Sequence, residues 1–220
     1  MEKNEINTII GIPKGFILFI SGVPGVGKTT ISYELLKRFH DFRIIEETDI
    51  LRDALRGYNE MLIDRYGQKI RSILNDTEIY DHTRLLSFAE AKQQCIIIKN
   101  SIENIVARQQ RKGIPSIING VHIIPEILKD LAYNPYIHFI NLYVSNEAIL
   151  SQRLTNRDPE SYMLEHIPFI YRSNNDLYTS TKNLAASPKK SFYNIDVAFL
   201  NIDDTLAKIT ESIQAKLQDI

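Results

Sequence analysis

Eight residues constrain this chain more than any others: Gly22-Val-Pro-Gly-Val-Gly-Lys-Thr29. They follow residues 15–21, where Phe16, Ile17, Leu18, Phe19 and Ile20 form a continuous apolar run. They precede residues 29–39, where Ile31, Leu35, Leu36 and Phe39 recur at helical spacing. The first segment reads as a strand buried on both faces and the last as an amphipathic helix. The loop between them fits G-x-x-x-x-G-K-[ST] in the strand–loop–helix setting that this pattern requires. Its glycines let the backbone wrap around phosphates with N–H groups pointing inward, and the helix start adds a positive end. Gly22, Gly25, Val26, Gly27, Lys28, Thr29 and Thr30 are therefore read as the nucleotide-binding set. Lys28 is expected on the β- and γ-phosphates, and the Thr29 hydroxyl on Mg²⁺. The spacing is wrong for a dinucleotide fingerprint, so the expected cofactors are ATP and Mg²⁺.

The rest of the chain alternates. Strands are expected at 43–47, 115–119, 137–144 and 192–200. Helices are expected at 49–56, 60–74, 83–111, 125–131, 146–156, 161–184 (interrupted by Pro168) and 204–217. This order implies βαβ units: an α/β fold with a doubly wound, parallel, five-stranded sheet and helices on both faces. There is no internal repeat, low-complexity tract or Gly/Ser linker, and residues 1–220 read as a single domain. With 220 residues, 44% of them hydrophobic, the chain can bury a core without disulfide or metal staples. It carries 26 basic and 27 acidic residues, a net charge of −1, which argues against a nucleic-acid-coating protein. The one cysteine, Cys95, excludes an intramolecular disulfide and a cysteine-cluster metal site. Residues 1–8 lack the basic-then-apolar order of a secretory signal, and 16–20 is too short to span a bilayer. The expectation is a cytoplasmic protein with no membrane partner.

Other residues bear on the reaction. Asp49 stands at the carboxyl end of the second strand, where doubly wound sheets place ligands. It could orient an acceptor hydroxyl as a general base, join the metal shell, or serve as a helix N-cap. Arg52 and Arg56 follow at helical spacing and suit an anionic substrate, or else a solvated charged face. Asn119 ends the third strand, where an acid normally orients the Mg²⁺ shell. A neutral residue there implies looser metal binding or another acid, with Asp49 the nearest candidate by topology. His122 could donate to a substrate phosphate or carboxylate, or be structural. Arg153 and Arg157, four apart on one helical face, are read as closing over the transferring phosphoryl group, with Arg172 a weaker candidate of the same kind.

Three segments together resemble one family. They are Gly25-Val-Gly-Lys-Thr-Thr-Ile31, Glu47-Thr-Asp-Ile-Leu-Arg52 and Ile118-Asn-Gly-Val-His-Ile-Ile-Pro125. Their order is similar to that of 2-phosphoglycerate kinases, as are the long helix before the third strand and the 153–157 segment. The resemblance implies a P-loop kinase fold and transfer of the ATP γ-phosphate to a small phosphorylated hydroxy acid. Members usually carry Glu where this chain has Asn119, and a Ser-Ser-Tyr element where it reads Leu86-Ser-Phe88. In this frame Lys28, Asp49, Arg153 and Arg157 are the candidate catalytic residues. Asp49, Arg52, Arg56, His122 and Arg172 would meet the acceptor, and Thr29 and Asp49 the metal. The alternatives are a zeta-toxin-like nucleotide-sugar kinase and a nucleotide-binding regulatory protein with little turnover.

Overall fold

In the computed structural model, residues 11–67, 69–70, 87–186 and 191–218 are described. Five strands form one sheet: β1 Ile17–Ser21, β2 Ile44–Glu47, β3 Ser116–Asn119, β4 Ile137–Tyr143 and β5 Phe192–Asp196. The spatial order is β2-β3-β1-β4-β5, and all four pairings are parallel. The chain therefore passes from β1 to the edge at β2, returns to β3 beside β1, and crosses to β4 and β5 on the other side. The switch point lies at the carboxyl end of β1, where the phosphate-type loop begins.

Seven α-helices pack around this sheet among the described residues: α1 Lys28–Arg38, α2 Thr48–Tyr66, α3 Phe88–Arg111, α4 Pro125–Leu128, α5 Glu147–Arg157, α6 Ile167–Ala185 and α7 Ile202–Leu217. The period-two alternation of β1 divides the core into two layers. Phe16, Leu18 and Ile20 join Ile31 and Leu35 of α1 and Leu206, Ile209 and Ile213 of α7. Ile17 and Phe19 face Cys95, Ile98, Ile102 and Val106 of α3. Phe19, Phe139 and Phe192 stack across three strands on that second face. Among the described residues, no helix is long and apolar enough to cross a membrane.

Several boundaries differ from expectation. The helices expected at 49–56 and 60–74 are one helix, α2, which runs through Gly57 and stops at Gly67, φ 79°. A single exposed glycine costs a helix about 1 kcal/mol, too little to break it. Residues 71–74 of that expectation lie outside the described residues. Helix α3 begins at Phe88 instead of 83. The Ser87 hydroxyl accepts from the Glu90 amide while the Glu90 carboxylate accepts from the Ser87 amide, a reciprocal cap that fixes the start. Residues 83–86 also lie outside the described set. Pro168 sits in the first turn of α6, where its missing N–H is harmless, after a 3₁₀ turn at Tyr162–His166. Strand β5 ends at Asp196, short of the expected 200.

Candidate active site

The loop after β1 is shaped by what it excludes. Gly22 has φ 142°, and a Cβ there would lie 2.5 Å from the Leu142 carbonyl oxygen of β4 and 2.7 Å from a Val26 methyl. Only glycine fits, so the loop turns tightly against the sheet edge. Val26 is buried in the first core layer and anchors the loop from below. Gly27 is the N-cap of α1, with no side chain capping the first-turn amides. Those N–H groups are open to an anion. Thr29 and Thr30 are exposed on that turn. The Lys28 ammonium donates to the Val23 carbonyl at 2.9 Å and so lies back along the loop. Burial lowers its pKa to about 8, partly offset by the Asp49 carboxylate, the strongest charge acting on it. Arg157 and Glu47 act on it next, so α5 and the end of β2 converge on the loop.

Asp49 is in the first turn of α2 and is not its cap; Glu47 holds that position, without a side-chain hydrogen bond. The N-cap reading therefore fails, because the cap is two residues earlier, at Glu47, and the helix starts at Thr48. The Asp49 side chain is 57% exposed, and its Oδ1 lies 3.5 Å from His122 Nδ1. His122 itself is buried. Its Nε2 lies 2.8 Å from Gln94 Oε1, and its Nδ1 lies 3.0 Å from Thr48 Oγ1. A neutral imidazole has one donor, so Nε2–H donates to the Gln94 carbonyl and Nδ1 accepts from the Thr48 hydroxyl. Burial holds the ring pKa down at about 4, against the raising effect of Asp49. Both ring nitrogens are thus engaged, and His122 is a pillar beneath the α2 start instead of a direct anion contact.

Arg52 and Arg56 both lean on Asp53, at 3.6 and 3.3 Å, and the buried Arg52 Nε has no hydrogen-bond partner among the described residues. The charges of Arg52 and Lys28 both act on His122 and lower its pKa. The two arginines of α5 divide. Arg153 Nη2 donates to the Val197 carbonyl at 2.5 Å and lies 3.5 Å from that of Ala198, fastening α5 to the β5–α7 loop. Arg157, exposed at the end of α5, acts on Lys28. Four residues rise about 6 Å along a helix, enough to give two residues on one face different partners. Arg172 is exposed on α6. That helix is clamped to β4 by Asn174, whose Nδ2 donates to the Val144 carbonyl at 2.9 Å and whose Oδ1 accepts from its amide at 3.0 Å.

Asn119 is buried, and its Nδ2 donates to Ser32 Oγ of α1 at 2.9 Å. Its neighbour in register on β2 is Glu47, whose buried Oε1 has no hydrogen-bond partner among the described residues. Among the described residues there is no group of three or more His, Cys, Asp or Glu able to hold a metal ion unaided. A divalent ion here would come with the nucleotide phosphates, and Thr29 and a nearby carboxylate fit that need. Sequence reasoning missed Glu47, Thr48, Gln94 and Asn174. Only Glu47 carried a signal, as an acid ending the strand beside the one that lacks it.

A loop of the G-x-x-x-x-G-K-[ST] pattern at the switch point of a five-stranded parallel sheet gives the chain the P-loop kinase fold. A gluconokinase from Sinorhizobium meliloti 1021 superimposes with a TM-score of 0.56 at 12% identity, covering 93% of this chain and 95% of that one. In sequence, the chain is 25% identical over 213 residues to the 2-phosphoglycerate kinase of Methanocaldococcus jannaschii, covering 92% of this chain and 65% of that protein. It is 29% identical over 150 residues to the Methanococcus vannielii 2-phosphoglycerate kinase, 64% of this chain and 47% of that one. It is 27% identical over 151 residues to the mevalonate-3-phosphate 5-kinase of Thermoplasma acidophilum, 64% of this chain and 67% of the relative. The chain thus spans between about half and two thirds of the 2-phosphoglycerate kinases it resembles. No family model matches it.

Proposed function

We propose that this chain is an ATP- and Mg²⁺-dependent kinase that transfers the γ-phosphate to a hydroxyl of a small anionic metabolite. The observation that carries the reading is the convergence of Lys28 and Asp49. Both stand in the first turn of the helix that follows a strand, Lys28 in α1 after β1 and Asp49 in α2 after β2, at the carboxyl end of one parallel sheet, and Asp49 is the strongest charge acting on the loop lysine. One group suits the transferring phosphate and the other the attacking hydroxyl. Asp49 would accept the hydroxyl proton as the acceptor oxygen bonds to the γ-phosphorus and the bond to the β–γ bridging oxygen breaks. Lys28 and Arg157 would balance charge on the transferring group, and α1 amides would hold the phosphates. Bound Mg²⁺ would neutralise phosphate charge. Arg52 and Arg56, beside Asp49 on α2, would recognise an acceptor phosphate or carboxylate. The names of the archaeal relatives support a phosphorylated hydroxy acid as acceptor.

The test is a panel of acceptors with γ-labelled ATP. Transfer to 2-phosphoglycerate or mevalonate 3-phosphate is the expected result. Transfer to UDP-sugars alone would favour the nucleotide-sugar reading, and tight ATP binding without transfer to any acceptor would overturn the kinase assignment.

A further inference from the structure

The neutral Asn119 leaves a chemical gap. Mg²⁺ bound with a nucleotide prefers oxygen ligands and usually keeps waters, which nearby carboxylates orient. The strand that commonly supplies such an acid here ends in an amide already committed to Ser32. One strand away, Glu47 occupies the register-matched position. Alternation fixes its face. Glu46 Oε1 accepts from Gln109 of α3 on one side of the sheet, whereas Ile45 packs in the layer containing Ile31 and Leu35 of α1. Glu47 shares the parity of Ile45 and so stands on the α1 face, with Asn119. Register neighbours on one face lie about 5 Å apart. A carboxylate oxygen buried without a partner costs about 1–3 kcal/mol or more, and a bound cation is one cause of such an orphan. Asp49 is different: it is largely exposed and stands beside His122, where an acceptor group can reach it.

We propose that Glu47 is the metal-orienting acid of this site, replacing from strand β2 the carboxylate that β3 lacks at Asn119. The inference rests on the nucleotide-and-metal reading above. Glu47 acts on the ion through its carboxylate or an intervening water, while Asp49 is left for the acceptor hydroxyl.

The test reads binding, not turnover. A fluorescent ATP analogue is titrated into the wild-type chain, Glu47→Gln, Glu47→Asp and Asp49→Asn, in EDTA and across a Mg²⁺ series. Mn²⁺ bound in the protein–nucleotide complex is followed by electron paramagnetic resonance. Loss of a metal-orienting partner typically weakens metal binding about 10–100-fold. Glu47→Gln should therefore lose at least about tenfold in Mn²⁺ affinity. In EDTA it should bind the analogue as well as wild type or better, because a negative charge beside the phosphates is gone. Glu47→Asp, which keeps the charge, should recover part of the metal affinity, and Asp49→Asn should retain most of it. Equal losses with and without metal would show that Glu47 only supports the loop, and would overturn the proposal. So would unchanged Mn²⁺ affinity in Glu47→Gln, or a larger loss in Asp49→Asn. Wild-type nucleotide binding that ignores metal would remove this inference and leave the nucleotide site standing. No nucleotide binding at all would remove both.

Discussion

Gly120 and Gly57 carry opposite predictions from the same substitution. Gly120 follows β3 with φ 154°, and a Cβ there would lie 1.8 Å from Thr48 Oγ1 and 3.0 Å from Thr48 Cβ. Ordinary contact needs a movement of roughly 1.6 Å. Thr48 cannot yield freely, because its hydroxyl donates to the buried His122 Nδ1. Gly120→Ala therefore breaks that bond or displaces the start of α2. Leaving the ring nitrogen unpaired costs about 1–3 kcal/mol, and the backbone conformation about 1–3 kcal/mol more. The expected destabilisation is about 2–6 kcal/mol. Gly57 lies in α2 with nothing among the described residues within 4 Å of an added Cβ, and Gly57→Ala should stabilise by about 0.5–1 kcal/mol. Urea unfolding at constant m-value checks both. Turnover should fall in Gly120→Ala even where it is fully folded, since Asp49 follows Thr48. A Gly120→Ala protein within about 0.5 kcal/mol of wild type would refute the steric argument.

Lys28→Ala should fold normally and lose about a hundred- to a thousandfold in transfer rate; near-normal turnover would sink the kinase reading. Asp49→Asn should cut turnover about a hundred- to ten-thousandfold with little change in ATP affinity, as single-turnover kinetics and nucleotide titration would show. The buried His138 and His122 have pKa values lowered by burial from 6.5 to about 3 and about 4. Only the unfolded chain takes up these protons between those values and 6.5, so stability is full above pH 6.5 and falls with pH below it. Between pH 7 and pH 5 each histidine should cost about 2 kcal/mol, seen as a drop in urea midpoint that His138→Gln roughly halves.

The architecture was legible because each strand is bounded by its own punctuation. The β1 run ends at the glycines of the loop, and β3 lies between Pro115 and Gly120. Lys28 and Asp49, proposed above for the site, follow the ends of recognisable strands by seven and two residues. Helix boundaries were less legible where a local signal had a non-local answer. The helices expected at 49–56 and 60–74 are one helix, which continues through Gly57. The roles of His122 and Arg153 were illegible. His122 is silenced as a ligand by Gln94, 28 residues away, and Arg153 is drawn to carbonyls 44 and 45 residues away. Spacing along a helix gives the face of a side chain but not the partner that arrives there from another element.

From the sequence, an acid at 119 is expected to strengthen the metal shell and lower the Mg²⁺ requirement. The structure reverses the expectation for Asn119→Glu. The new carboxylate would be buried against Ser32, one methylene longer than the amide it replaces, and beside Glu47 in register. Two carboxylates on register-matched neighbours of one sheet face cannot both ionise cheaply. An uncompensated buried charge costs about 3–5 kcal/mol, of which the Ser32 hydroxyl, turned to donate, would recover about 1 kcal/mol. Asn119→Glu should therefore destabilise by about 2–4 kcal/mol, with no gain in metal affinity. In Glu47→Gln/Asn119→Glu the repulsion is absent, and the pair should be more stable than the two single changes predict by about 1 kcal/mol or more. The double variant should also regain part of the Mn²⁺ affinity lost in Glu47→Gln. Strict additivity of the unfolding free energies would mean that the ends of β2 and β3 do not share one charge site.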